Sequence, residues 1–182
     1  MDTRALAAAS VLGTDGEPVR LADEWRYHPA VVVWLRHFGC VFCRQHVAEV
    51  RAARRDIEVL HGGIVFVGNG TPRAAAWFQK RFAPDSTVLT DPDLVTYTAI
   101  GARSGLMSTL GPKAWGAGLR AFSTGARQTT TKGHPFQQGG VLVIAPGNKV
   151  LYRHVSGAAG DHAPLERVLA ALRSADVPSA AA

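Results

Sequence analysis

The two cysteines of the chain, Cys40 and Cys43, lie two residues apart in the segment RHFGCVFCRQH at 36–46. A C-x-x-C spacing can form a redox-active disulfide, bind a metal ion or place two thiols side by side in a core. Between a buried strand and a helix, the first sulfur lies beside the unpaired N–H groups at the helix start, which stabilise a thiolate. The spacing therefore predicts Cys40 as a nucleophile and Cys43 as the thiol that captures oxidised Cys40 in an internal disulfide.

Basic side chains flank the cysteine pair and can add a positive field that favours the thiolate. We predict that His37 and Arg44 belong to the catalytic site and that Arg36 contacts the substrate. Further along the chain, Gly139 and Gly140 precede an apolar strand, where glycines permit the close approach of a substrate or form a tight turn. Arg120, in a basic segment with scattered aromatic residues, completes the predicted substrate-binding set.

The same stretch also contains the pattern His37-x-x-Cys40-x-x-Cys43-x-x-His46, with four side chains that could bind a metal. Structural zinc sites normally separate their two ligand pairs by a longer loop, so that the four side chains can converge. We therefore predict no metal site. A non-enzymatic module that binds or delivers a metal through Cys40, Cys43 and a histidine remains an alternative, as does a pair of inert core thiols.

The charge and hydropathy of the chain limit its partners. Its 182 residues have a formal net charge of +6, with the basic residues spread along the sequence. A nucleic-acid-binding surface normally concentrates such residues, so we expect no nucleic-acid partner. No run approaches the roughly 18 apolar residues of a membrane span, and residues 4–12 are a poor match to a signal peptide. We expect a cytoplasmic protein, in which a close cysteine pair is more often catalytic or metal-binding than structural.

The order of the predicted elements indicates an α/β fold. Strands are predicted at 31–35, 64–69, 87–90, 141–145 and 149–155, and helices at 42–61, 72–82, 91–101 and 164–173, the last capped by Asp161. Strands that alternate with helices imply a parallel sheet with crossover helices, and the final strand pair is a hairpin. This is the layout of a thioredoxin-like three-layer sandwich in one domain, 1–182. We predict three additions to this sandwich. They are an N-terminal β-hairpin around Asp15-Gly16, a Gly-rich insertion or lid at 102–140 and a disordered tail at 175–182.

Four segments of the chain carry a family resemblance. They are DGEPVRLADEW at 15–25, VVVWLRHFGCVFCRQHVAEV at 31–50, TDPDLVTYTAIG at 90–101 and QQGGVLVIAPGNKVLYRHVSGAAGDH at 137–162. Together they resemble the AhpC/TSA-type peroxiredoxin-like proteins, within the branch that contains prostamide/prostaglandin F synthase. The resemblance implies a thioredoxin fold and a two-cysteine redox centre that reduces peroxides, endoperoxides or disulfides. It assigns Cys40 as the nucleophile and Cys43 as the resolving cysteine.

Two positions depart from the pattern of typical peroxiredoxins. These proteins place a proline seven residues, and a threonine or serine three residues, before the reactive cysteine, whereas this chain has Val33 and His37 there.

The expected activity is that of a cytoplasmic thiol oxidoreductase with no bound cofactor. The chain has no dinucleotide-binding glycine pattern, so NADPH would act through an external thioredoxin- or glutathione-type reductant. The expected partners are a small peroxide, endoperoxide or disulfide substrate and a redox partner protein, with a homodimer left open. A specialised biosynthetic redox enzyme, whose basic insertion selects an anionic organic substrate, is a further alternative.

Overall fold

The computed structural model describes residues 1–102, 104, 137–158 and 160–175. The strands are β1 (Ser10–Leu12), β2 (Pro18–Arg20), β3 (Ala30–Trp34), β4 (Gly63–Gly68), β5 (Thr87–Thr90), β6 (Gly140–Ala145) and β7 (Lys149–Val155). The helices are α1 (Thr3–Ala8), α2 (Val41–Ala52), α3 (Arg54–Val59), α4 (Pro72–Phe82), α5 (Val95–Ala99) and α6 (Leu165–Arg173). Short 3₁₀ turns span Leu21–Trp25 and Pro146–Asn148. No helix in the described part of the chain is long and apolar enough to cross a membrane.

The strands form one mixed sheet in the order β2-β1-β5-β4-β3-β6-β7. Strands β3, β4 and β5 are parallel neighbours, and the remaining pairs are antiparallel. All residues of β3 are buried, as expected of a central strand covered on both faces. Its side chains alternate between two cores, since Val31 and Val33 belong to the cluster that includes α2 and α4, whereas Val32 and Trp34 belong to the cluster that includes α1 and α5. The predicted three-layer sandwich is therefore confirmed, with its N-terminal hairpin formed by β1 and β2.

The secondary structure differs locally from the sequence predictions, and the helix predicted at 91–101 is confined to Val95–Ala99. The helix predicted at 42–61 is divided at Ala53, whose backbone angles (φ −86°, ψ 8°) leave the helical range, and alanine gives no sequence signal for such a break. Helix α1 was not predicted, although its N-terminus is capped by the Asp2 carboxylate, which accepts a hydrogen bond from the Ala5 N–H at 2.9 Å. The prediction that Asp161 caps α6 is wrong, because its carboxylate instead accepts a hydrogen bond from the Gly157 N–H at 2.7 Å.

The predicted insertion at 102–140 connects α5 to β6. At its ends, Ser104 and Gln137 form an isolated antiparallel bridge. Residues 105–136 and most of the predicted tail at 175–182 lie outside the described residues, so the lid and the disordered tail stay predictions.

Candidate active site

The cysteine pair lies at the start of α2, directly after the loop that follows β3. Cys40 is the N-cap residue with extended backbone angles, and Cys43 occupies the first turn of the helix. Both are free thiols, with 1% of Cys40 and 4% of Cys43 exposed. The structure therefore brings the two sulfurs together at a helix N-terminus, as the sequence predicts, but buries them more deeply than a reactive thiol usually is.

Arg36 contacts both cysteines. Its backbone N–H donates a hydrogen bond to the Cys43 Sγ at 3.3 Å, and its guanidinium Nη1 lies 4.0 Å from the Cys40 Sγ. The side chain is itself buried. Arg36 thus supplies a positive charge at the sulfur pair, and its predicted contact with the substrate stays a prediction.

Cys40 is held as a thiolate. Its pKa is lowered from 9.0 to about 6, chiefly because the Cys43 thiol donates a hydrogen bond to its sulfur. Burial opposes this shift, whereas the charge of Arg36 and the backbone N–H groups of Cys43 and Phe42 support it. These amides belong to the first turn of α2, where backbone N–H groups have no partner within the helix. A thiol with this pKa is roughly 90% ionised at pH 7.

Cys43 has the opposite character. Its pKa is raised well above 9, first by its hydrogen bond with the Cys40 sulfur, then by burial and by the negative charge of Cys40. The Arg36 N–H and guanidinium partly offset this rise. One proton is therefore shared within the pair, and Cys43 holds it while Cys40 carries the charge.

His37 differs from its predicted electrostatic role. Burial and the positive charges of Arg36 and Arg44 lower its pKa to about 4, so that the imidazole is neutral at pH 7 and adds no positive field. Its Nδ1 accepts a hydrogen bond from the Gly39 N–H at 3.2 Å, and its carbonyl accepts one from the Cys40 N–H at 3.1 Å. His37 therefore shapes the turn that leads into Cys40.

Arg44, the second predicted catalytic cation, lies on the half-buried side of α2. Its guanidinium lies over the Phe82 ring, 5.4 Å from the ring centroid, which is a cation–π geometry. The positive charge of Arg44 helps to lower the pKa of His37. A direct role in catalysis stays a prediction.

The two glycines at the start of β6, Gly139 just before the strand and Gly140 as its first residue, are required by neighbouring strands. A Cβ at Gly139 would lie 2.0 Å from the Trp34 carbonyl oxygen in β3, and one at Gly140 would lie 2.6 Å from the His154 oxygen in β7. Close backbone packing within the sheet therefore explains both glycines without a substrate. Both also line a cavity beside Cys43. Arg120, the remaining predicted substrate-binding residue, lies outside the described residues.

Two polar side chains that were not predicted hold the loop in front of Cys40. The Tyr97 hydroxyl donates to the Leu35 carbonyl oxygen at 2.6 Å and lies 3.1 Å from the Val67 oxygen. The Asn69 side chain donates to the Arg36 carbonyl oxygen at 2.8 Å. Asn69 directly follows β4, at the same edge of the sheet as the loop after β3, and this position was the signal available in the sequence.

A buried aromatic ring fixes the same loop against the sheet. Phe38 is fully buried, and its ring lies over Gly68 so closely that a Cβ there would be 2.2 Å from the ring. The ring also packs on Phe78 of α4, with centroids 5.3 Å apart. The loop is thus held from both sides, which fixes where the Cys40 sulfur lies.

His46, one of the potential metal ligands, lies buried on the core side of α2. Its imidazole stacks on that of His162, with centroids 4.4 Å apart and planes 4° from parallel. Burial, followed by the nearby His162 and His154, lowers its pKa to about 3. No three cysteine, histidine or acidic side chains of the described residues are grouped so that they could hold a metal ion. The metal-delivery alternative therefore has no ligand set in this part of the chain.

Comparison with known proteins agrees with this architecture. Residues 56–157 match the model of the AhpC/TSA antioxidant enzyme family, a span that begins after the cysteine pair. The chain is 33% identical over 177 residues to the chloroplastic thioredoxin-like protein AAED1 of Arabidopsis thaliana, covering 92% of this chain and 71% of that protein. It is 32% identical over 163 residues to prostamide/prostaglandin F synthase of Salmo salar, covering 86% of this chain and 80% of that protein.

The fold is also shared with a solved structure. Peroxidoxin BcpB of Mycobacterium tuberculosis superposes with a TM-score of 0.67 at 19% identity, over 91% of this chain and 92% of that one. At this identity the likeness concerns the fold, whereas the sequence matches concern the family. The chain belongs to the AhpC/TSA antioxidant enzyme family, as a peroxiredoxin-like thiol oxidoreductase.

Proposed function

We propose that the chain reduces peroxide, endoperoxide or disulfide bonds through a cycle between the Cys40–Cys43 dithiol and its internal disulfide. One observation carries the proposal: the Cys40 and Cys43 thiols lie together at the start of α2, and Arg36 contacts both of them. This arrangement lowers the pKa of Cys40 and raises that of Cys43. Cys40 is therefore ionised and ready to attack, while Cys43 is close enough to attack it in turn.

With a hydroperoxide, the Cys40 thiolate attacks one peroxide oxygen and the O–O bond breaks. The leaving alkoxide takes a proton from solvent to become an alcohol, and Cys40 keeps the other oxygen as a sulfenic acid. Cys43 loses its proton and, as a thiolate, attacks the Cys40 sulfur, so that the S–O bond breaks and the disulfide forms. The hydroxide that leaves takes up a proton to become water. Two electrons from an external thiol reductant return the pair to the dithiol.

An endoperoxide would be reduced by the same two attacks, with one difference in the first product. The oxygen that joins Cys40 remains attached to the substrate as a sulfenate ester, and Cys43 displaces it as a second alcohol group. A relative is named for prostamide and prostaglandin F synthesis, and this supports endoperoxides as a substrate class to be tested.

Access to Cys40 requires local opening, because only 1% of this residue is exposed. We include in the proposal a cytoplasmic location, because the cycle needs a surrounding thiol pool to reset it. A thioredoxin- or glutathione-type reductant is the expected partner, and the basic net charge of +6 suits an anionic substrate.

The test compares turnover of hydrogen peroxide, an organic hydroperoxide, an endoperoxide and a disulfide by the wild type, Cys40→Ser and Cys43→Ser. We expect Cys40→Ser to lose at least about a hundredfold in rate with every active substrate. Cys43→Ser should still form a Cys40 sulfenic acid, detectable by dimedone labelling, but no internal disulfide. Unchanged turnover in Cys40→Ser would refute the assignment.

A further inference from the structure

An open groove lies at the end of the sheet opposite to the cysteine pair. Strand β6 begins at Gly140, which pairs with Trp34, the last residue of β3 before the loop to Cys40. The six residues of β6 span roughly 20 Å. In the turn that follows β6, Gly147 and Asn148 line the groove. The groove is therefore separate from the candidate active site.

The groove has two halves, which meet at Arg20 and Asn148. The first half, of about 440 Å³, lies along α1 and includes Arg4 in its wall. The second half, of about 280 Å³, lies beside the 3₁₀ turn that follows β2 and includes Asp23 and Arg26. Volumes of this order, roughly 300–1,000 Å³, are typical of sites for small molecules. We call the two halves together the arginine groove.

Positive charge is in excess in the arginine groove. Among the described residues that line it, three are cationic, Arg4, Arg20 and Arg26, and one is anionic, Asp23. Three positive charges against one negative charge leave a local net charge of +2. None of the three arginines forms an ion pair within the described part of the chain. Guanidinium groups that share a concave surface and have no carboxylate partner concentrate anions there.

Two of the donors in the groove are held in place before any ligand binds. The Nε of Arg20 donates a hydrogen bond to the Ala7 carbonyl oxygen at 3.2 Å, and neither of its Nη groups has a hydrogen-bond partner among the described residues. The Trp25 Nε1 donates to the Asn148 Oδ1 at 2.9 Å. Because an indole N–H can only donate, this bond fixes the Asn148 amide with its Nδ2 directed away from Trp25. Preorganised donors of this kind lower the entropic cost of binding.

We propose that the arginine groove binds a small molecule through a diphosphate group. A guanidinium group presents its N–H groups in a planar fork that matches two oxygens of a phosphate. One phosphate lies between Arg4 and Arg20 in the first half, and the other lies between Arg20 and Arg26 in the second half. Arg20 and Asn148 line both halves, so they contact both phosphates, which are joined through a single oxygen. Asp23 opposes the charge of the second phosphate, but the local charge stays positive. This binding site is independent of the proposed disulfide cycle.

The first test measures the binding of pyrophosphate by isothermal titration calorimetry. We expect one site per chain, with a Kd of about 1 mM or tighter at low ionic strength, because added salt screens exposed charges. Arg4→Gln and Arg20→Gln should each weaken binding about fivefold or more, since each loses a charge-assisted hydrogen bond. Arg55→Gln on α3 is the matched control, because Arg55 is also exposed and forms no ion pair within the described ranges. Absence of saturable binding, or an equal loss in Arg55→Gln, overturns the proposal.

The same titration distinguishes an effect on binding from an effect on folding. Arg20→Gln also loses the hydrogen bond to Ala7, whereas the Arg4 side chain forms no hydrogen bond with any described residue. Arg4→Gln is therefore decisive if Arg20→Gln does not fold. Asp23→Asn removes the opposing carboxylate and should tighten pyrophosphate binding about twofold or more, whereas Asp56→Asn, an exposed position on α3, should not change it. Equal affinities of these two aspartate variants contradict the proposal.

The second test locates the bound anion. Pyrophosphate is titrated into ¹⁵N-labelled protein, and the amide signals of Gly147 and Asn148 and the indole signal of Trp25 should shift with the Kd measured by calorimetry. The amide signals of Cys40 and Cys43, roughly 20 Å away along β6, should not follow this curve. Shifts centred on the cysteine pair instead of the arginine groove overturn the proposal. Citrate binding as tight as that of pyrophosphate also overturns it, because the groove would then select negative charge and not a diphosphate.

Discussion

The hydrogen bond between the two sulfurs is the feature whose removal should change the chemistry most. It is the largest contribution to the lowered pKa of Cys40, which falls from 9.0 to about 6. A shift of this size corresponds to about 4 kcal/mol in favour of the thiolate. A hydrogen bond to a charged group contributes about 1.5–3 kcal/mol, or about 1–2 pH units of that shift.

We therefore expect Cys43→Ala to raise the pKa of Cys40 to about 7–8. Cys43→Ser, the matched control, also leaves a single cysteine but keeps a hydroxyl that can donate to the Cys40 sulfur, so its pKa should stay near that of the wild type. Roughly 90% of Cys40 is ionised at pH 7 in the wild type, and this fraction should fall below about half in Cys43→Ala.

The measurement is a pH titration of the ultraviolet absorbance of the thiolate, repeated as the pH dependence of the rate of iodoacetamide alkylation. Each variant contains one thiol, so each titration reports Cys40 alone. Equal pKa values in the alanine and serine variants would refute the hydrogen-bond argument. A value near 9 in both would refute the contribution of Arg36 and of the helix start as well.

Three further predictions concern the surroundings of the pair. Tyr97→Phe removes the hydrogen bond to the Leu35 carbonyl and should lower the free energy of unfolding by about 1–3 kcal/mol, measured in urea; an unchanged midpoint and slope would contradict this. Gly68→Ala should cost about 3 kcal/mol because its methyl group overlaps the Phe38 ring, and Phe38→Leu in the same chain should recover part of the loss; the idea fails if the double variant is no more stable than Gly68→Ala. His46 has a folded-state pKa of about 3 against 6.5 when unfolded, so the unfolded state binds the extra proton and stability falls as the pH drops below 6.5. His46→Phe should remove about 3 kcal/mol of the loss between pH 6.5 and ~4, and identical pH profiles of the two proteins would contradict it.

The secondary structure near the site was predictable because its signals are local. The apolar run at 31–35 marks β3, and the Thr71-Pro72 pair marks the start of α4, where the Thr71 hydroxyl accepts a hydrogen bond from the Ala74 N–H at 3.2 Å. The position of Cys40 at the start of α2 follows from the same kind of pattern. The break at Ala53 was not predictable, because alanine favours the helix that it interrupts.

The interactions around the sulfurs were less predictable because they join residues far apart in the chain. Arg36 and His37 are both basic in the sequence, yet the first remains a cation at the sulfurs while the second is neutral. The difference comes from burial and from the charge of Arg36 itself, neither of which is a property of spacing. The contact of His46 with His162, 116 positions later, likewise depends on the packing of α2 against the segment before α6.

The coupling of the two sulfurs also sets the order of the proposed reaction. The Cys40 thiolate is what chiefly raises the pKa of Cys43, through its hydrogen bond and its charge, while Arg36 acts in the opposite direction. Once a peroxide has converted Cys40 to a neutral sulfenic acid, the negative charge is gone, but Arg36 still lies against the pair. The pKa of Cys43 must then fall, because only burial still opposes its ionisation. Cys43 is thus kept protonated while Cys40 waits for substrate and becomes a nucleophile when Cys40 has been oxidised, so that one buried cation serves both steps.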